Sequence, residues 1–216
     1  MPSHPRVPTS EFRALDLRAH EFLSDAPLHD VWRIRLSGGG PDLTVAEVVD
    51  QFVEVIRSAV ETGAGGGSVV RALFGIRSAL GRAFGWDRKT PASLAPSYLD
   101  RLSGDDRART LETPGSKRYF WTTLYAFERE ALGEVINQTV HSFLLFALEP
   151  SEGGGGYTLY WATYVKPVSW FTPFYMAVID PFRRLLIYPA LIRRFEASWK
   201  TRCEGDPDSR PIVEGT

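Results

Sequence analysis

Cysteine is almost missing from this 216-residue sequence, where Cys203 is the only one. A single thiol excludes an intramolecular disulfide and every multi-cysteine metal site, and it fits a reducing compartment. Long apolar runs are missing too: no stretch of about 18 uncharged apolar residues occurs, so no segment reads as a membrane span. The N-terminus, MPSHPRVPTSEFR, has no apolar core and does not read as a secretory signal. Neither sign of charge dominates. The formal net charge of −1 gives no reason to expect nucleic acid or an anionic membrane as partner. The expectation is a soluble, cytoplasmic protein. GxSxG is absent, which disfavours a serine hydrolase. The glycine quartet Gly153–Gly156 has no lysine followed by serine or threonine behind it, and reads as a hairpin loop rather than a phosphate cradle. His20 and His29 lack a carboxylate or cysteine at ligand spacing, so neither a metal site nor a cofactor is expected.

What is present is an ordinary globular composition, 44% hydrophobic and 24% charged, enough for one domain with a substantial core. Residues 1–30 read as an N-terminal arm, partly disordered, with three prolines in its first nine positions. Residues 31–201 read as the domain, and 202–216 as a flexible tail. VWRIRL (31–36) suits a strand. Thr44 and Glu47 form a capping box ahead of Val45, Val48, Val49, Phe52, Val55 and Ile56 at helical spacing. A second helix follows from Ser68, with Val69, Leu73, Ile76, Leu80 and Phe84 on one face.

From residue 118 the period changes. RYFWTTLYAFE, ALGEVIN, TVHSFLLFALE and YTLYWATYVK are rich in aromatic and β-branched residues and read as antiparallel strands. In the third, Leu144, Phe146 and Leu148 alternate with Phe143, Leu145 and Ala147, so both faces are apolar and both need cover. Helices supply one side. The N-terminal segment, a second subunit or a bound apolar molecule supplies the other. Thr172-Pro173 then starts a helix, with Phe174, Val178, Leu185, Tyr188, Ile192, Phe195 and Trp199 on one stripe, and Arg183, Arg184, Arg193 and Arg194 opposite or flanking. Pro181 and Pro189 lie inside it and deprive the carbonyls of Ala177 and Leu185 of their helical donors, so kinks are expected.

LGE (132–134), VHSF (140–143), YVKP (164–167) and above all YMAVIDPFRRLLIYPALIRR (175–194) carry a resemblance to a bacterial family of unknown function in the SRPBCC superfamily, which includes START and pollen-allergen-like domains. The resemblance implies an α+β helix-grip fold, a curved antiparallel sheet wrapped around a long kinked C-terminal helix. It also implies a cavity between the two for a small hydrophobic ligand. Some relatives follow an NAD(P)-binding dehydrogenase-like domain. This chain has no GxGxxG on a leading strand, so such a domain would be a separate partner.

Trp121, Tyr125, Tyr164, Tyr175, Phe182 and Leu185 are the candidates to line that cavity, where apolar walls with a few hydroxyls suit such a ligand. Core packing is the plainer reading of most aromatics here. Glu134 and His141, on neighbouring predicted strands, are the weak catalytic candidates, as a carboxylate beside an imidazole can do acid–base work. The plainer reading is a polar pair at a strand end, solvated or holding the hairpin. The cluster Glu128, Arg129 and Glu130 reads as a solvated turn. Three functions stay open: a binding module for an apolar ligand, a cofactor-independent enzyme of the cyclase or hydratase kind, and an accessory domain with a filled core, with a homodimer among its forms. A buried Glu134–His141 pair favours the second, and a solid interior the third.

Overall fold

The computed structural model describes residues 6–62, 95–137, 140–151, 155–168 and 172–205. The predicted helix from Ser68 lies outside them. Two short helices, α1 (Thr9–Arg13) and α2 (Arg18–Phe22), precede strand β1 (Leu28–Ser37) and helix α3 (Val45–Thr62). A 3-10 turn (Tyr98–Arg101) and α4 (Gly104–Arg109) come next. Strands β2 (Lys117–Arg118), β3 (Trp121–Ala126), β4 (Glu130–Ile136), β5 (His141–Pro150) and β6 (Gly156–Lys166) follow. The chain then runs through α5 (Thr172–Phe182), a π-turn (Arg183–Ile187) and α6 (Tyr188–Gly205). The strands form one antiparallel six-stranded sheet in the order β1-β6-β5-β4-β3-β2. The fold is therefore α+β with a long C-terminal helical stretch.

Both faces of the sheet are covered, as the doubly apolar β5 requires. Its Leu144, Phe146 and Leu148 join Ile34, Trp161, Val48, Phe52, Ile192, Phe195 and Trp199 in one core, beneath α3 and α6. Its Phe143, Leu145 and Ala147 join Phe12, Phe22, Leu23, Tyr98, Tyr125 and Tyr164 in the other. The N-terminal segment supplies the second cover. Residues 6–26, expected as an arm, bury Phe12, Ala19 and Leu23 completely. Val7 N–H donates to the Val31 carbonyl at 3.1 Å, and α2 docks on β4. β1 already begins at Leu28, ahead of the expected domain start at 31.

Two bulges aim side chains. Leu28 pairs with Tyr164 and Asp30 with Thr163, so His29 is an extra residue. In β3 the register shifts between Thr123 and Tyr125, and Leu124 and Tyr125 both enter the second core. Such insertions bend a strand and let neighbours share a face. Gly133 has its own reason: a Cβ there would overlap the Trp121 ring.

Candidate functional site

Successive even positions of a strand share one face, so Glu130, Leu132 and Glu134 all point into the second core. Each carboxylate meets the start of a short helical segment, where backbone N–H groups lack partners. Glu130 accepts from the N–H groups of Arg18 and Ala19, both at 2.8 Å, and from the Tyr125 hydroxyl at 2.6 Å. Glu134 accepts from the Tyr98 N–H at 2.8 Å and the Ser97 hydroxyl at 2.5 Å, and pairs with His141 Nε2 at 2.8 Å. Glu134 and His141 are 3% and 1% exposed, so the pair is buried rather than solvated. Glu130 is buried too, whereas Glu128 and Arg129 are exposed as a solvated turn requires.

The two carboxyls titrate in opposite directions. Burial pushes Glu134 up, but His141, Ser97 and the Tyr98 N–H outweigh it and hold the group below its usual value. Burial also pushes Glu130 up, and there its donors do not compensate. Glu134 is thus an anion whose Oε1 accepts two hydrogen bonds and whose Oε2 accepts one from the Ser97 hydroxyl. It adjoins a cleft of about 460 Å³, lined by Ser97, Leu99, Lys117, Phe120 and Thr122. The two-residue turn beside it holds Tyr119 at φ 54, a left-handed conformation uncommon for an aromatic residue. A carboxylate with a lowered pKa and three donors anchors a segment well and abstracts protons poorly.

The expected ligand-lining residues are not brought together. Trp121 lies in the core under the helices, 6.1 Å from Phe146 between ring centroids. Tyr125 and Tyr164 are fully buried on the opposite face. Phe182 and Leu185 are 43% and 73% exposed and line nothing beneath the helix. The side chain of Tyr175 is outside the described ones. Between sheet and helices, where the cavity was expected, Phe52 stands 5.2 Å from Phe146, 4.9 Å from Trp161 and 5.3 Å from Phe195. Among the described residues, those rings pack directly against one another there. No group of three or more potential metal ligands occurs among the described residues.

The C-terminal helices hold what the sequence reading missed. Tyr188, Ile192, Phe195 and Trp199 pack on the sheet as predicted. Upstream, the apolar stripe turns outward. Pro173, Phe174, Ala177, Val178, Pro181, Phe182, Leu185 and Leu186 are all exposed, and none carries a charge. The charged residues face inward instead. Asp30, on the bulged β1, lies 2.7 Å from Arg183, and His29 lies 2.7 Å from Asp180. Asp180 also pairs with Arg183 and Arg184 at 3.0 and 3.1 Å. The Tyr188 hydroxyl accepts from Arg183 at 2.8 Å; burial pushes that phenol up to about 12. Arg183 and Arg184 lie opposite the apolar stripe as expected, but it is they that face β1 and the stripe that faces outward. The π-turn that presents them sits between Pro181 and Pro189, neither of which can donate to a helical ladder. Tyr188 N–H reaches back to the Arg183 carbonyl there. Ala177 and Leu185, four residues before the two prolines, are both exposed on the outer face, away from the space between sheet and helices where a cavity was expected. The missed signal was DPFRR itself, a block of charge set in an otherwise apolar helix.

These features define an α+β domain with two apolar cores, a sheet covered on both faces, and an outward apolar helix. The chain belongs to the family described as Protein of unknown function (DUF2867), whose model matches residues 22–190. That span runs from the end of α2 to the start of α6 and holds Glu134, His141, the charge cluster and the apolar stripe. Comparison with curated proteins and with solved structures gave no match.

Proposed function

We propose that this chain is an accessory domain that docks on another protein through the outer face of α5 and the π-turn. One observation carries the reading: eight exposed positions on consecutive helical turns are all apolar, while the charges of the same helix are turned inward and paired. A surface helix normally has the reverse polarity. Contiguous exposed apolar surface of this kind marks an interaction site. The direct packing of Phe52 on Phe146, Trp161 and Phe195 between sheet and helices supports an accessory role over storage of a hydrophobic molecule at that place. The three donors on Glu134 support a structural role for the Glu134–His141 pair over acid–base catalysis. The order of strand, helix, antiparallel strands and long kinked C-terminal helix supports kinship with the helix-grip superfamily.

A photo-crosslinking residue at Val178, in protein expressed in its own host, tests the reading. The expected result is a discrete protein adduct that Leu185→Asp abolishes, with none from the same group at Arg193, an exposed position on α6. Equal labelling from both positions, or no adduct from Val178, would overturn it.

A further inference from the structure

We infer that the protein docked on this face is a second copy of the same chain; the inference rests on the docking reading above. The exposed positions form two parallel rows at spacing four. One row is Pro173, Ala177, Pro181 and Leu185, and the other is Phe174, Val178, Phe182 and Leu186. Rows at this spacing are the ridges that interdigitate when two helices cross in the commonest packing class. The first ridge is mostly small or flat, and the second is bulky. A two-fold axis lying in the interface and running along the stripe sets the two helices side by side in the same direction and lays the bulky ridge of each copy beside the small ridge of the other. The patch is thus self-complementary, as an isologous interface requires.

Charge agrees. Asp180, Arg183 and Arg184 are paired toward β1, so the pairing buries no lone ion. The widened turn at Arg183–Ile187 keeps Leu185 and Leu186 in line with the rows, which a regular helix would let drift. Val178, Phe182, Leu185 and Leu186 are 43%, 43%, 73% and 49% exposed, and Phe174 is 61% exposed. Those side chains offer roughly 500 Å² on each copy, taking about 200 Å² for a whole large apolar side chain. Two such faces fall near the lower limit for a specific interface, about 1,000–1,200 Å² in total. The expected dimer is reversible, with a dissociation constant in the micromolar range.

Sedimentation velocity from low to high micromolar concentration reads this directly. The wild-type chain should pass from monomer to dimer. Leu185→Asp and the milder Leu185→Ser should each weaken association at least tenfold without changing the circular dichroism spectrum. In a Cys203→Ser background, Val178→Cys should link into a covalent dimer with a short bismaleimide, because Val178 lies close to the two-fold axis. A chain monomeric at every concentration overturns the inference, as does a dimer that both Leu185 variants leave intact. If the chain is monomeric while the Val178 photo-adduct persists with a different protein, the docking reading stands and only the second copy is excluded. If the adduct is absent as well, both fall.

Discussion

Glu130 and Glu134 lie four residues apart on β4, and burial pushes both up, yet their different donors give them opposite effects on stability as pH changes. Glu134 titrates below its unfolded value, so its contribution is complete above about pH 4.3 and is lost as pH falls through the folded pKa. Glu130 titrates above its unfolded value, so its contribution is complete below that value and is lost as pH rises through the folded pKa. Glu134→Gln should cost about 3 kcal/mol at neutral pH, since it weakens three hydrogen bonds to a charged acceptor. That cost should shrink in acid. Glu130→Gln should cost most in acid and less as pH rises. Urea unfolding across a pH series checks both. Two cost profiles that run in the same direction would show that the donors around these carboxyls are not those described. Residue types on the neighbouring segments ALGEVIN and TVHSFLLFALE were enough to single out Glu134 and His141 as a pair. Their burial was not legible, because Tyr98 and Ser97, which close over Glu134, come from a segment with no periodic pattern.

At the scale of the element, the C-terminal helices show where a pattern is readable and where it misleads. A single stripe from Phe174 to Trp199 looks continuous in sequence, but only its second half faces the core. The π-turn between the two prolines rephases the helix, and the bulge at His29 offers Asp30 to Arg183. The inward side at the end of α5 and in the π-turn is thereby committed to charge, through Asp180, Arg183 and Arg184. Periodicity counts apolar residues and has no means of registering that a polar cluster has taken the buried side. The stability consequence is sharp. Ile192→Asp puts an unpaired charge at a position with no exposed surface and should cost more than about 4 kcal/mol. Leu185→Asp changes a residue 73% exposed and should stay within about 0.5 kcal/mol. Thermal melts of the two variants at low protein concentration, where association does not contribute, measure the difference. Equal losses would mean that α5 packs on the sheet after all.

For the whole molecule, the antiparallel sheet and the C-terminal helix could be read from strand alternation and helical spacing, and the need for two covers followed from the apolar alternation of β5. Which segment provides the second cover was open in the sequence. Three prolines and short mixed stretches in residues 1–30 resemble an arm, and two five-residue helices leave too little periodicity to detect. Tertiary contacts hold them instead. Glu130 caps α2, and Asp106 forms two hydrogen bonds with Arg18, each at 3.0 Å. Phe12 sits 6.3 Å from Tyr160 between ring centroids, and Phe22 stands edge-on to Tyr125 at 5.8 Å. Removing residues 1–26 would therefore uncover Phe143, Leu145, Tyr125 and Tyr164 and strip Glu130 of its two backbone donors. Each large core side chain returned to water loses about 1.5–3 kcal/mol, and net domain stability is typically only about 5–15 kcal/mol. A chain beginning at Pro27 should consequently fail to fold cooperatively, binding a hydrophobic dye and losing its near-ultraviolet circular dichroism. Phe12→Ala in the full chain should cost about 3–5 kcal/mol and remain folded. A truncated chain that melts cooperatively near the wild-type midpoint would show that the sheet's second face does not depend on this cover.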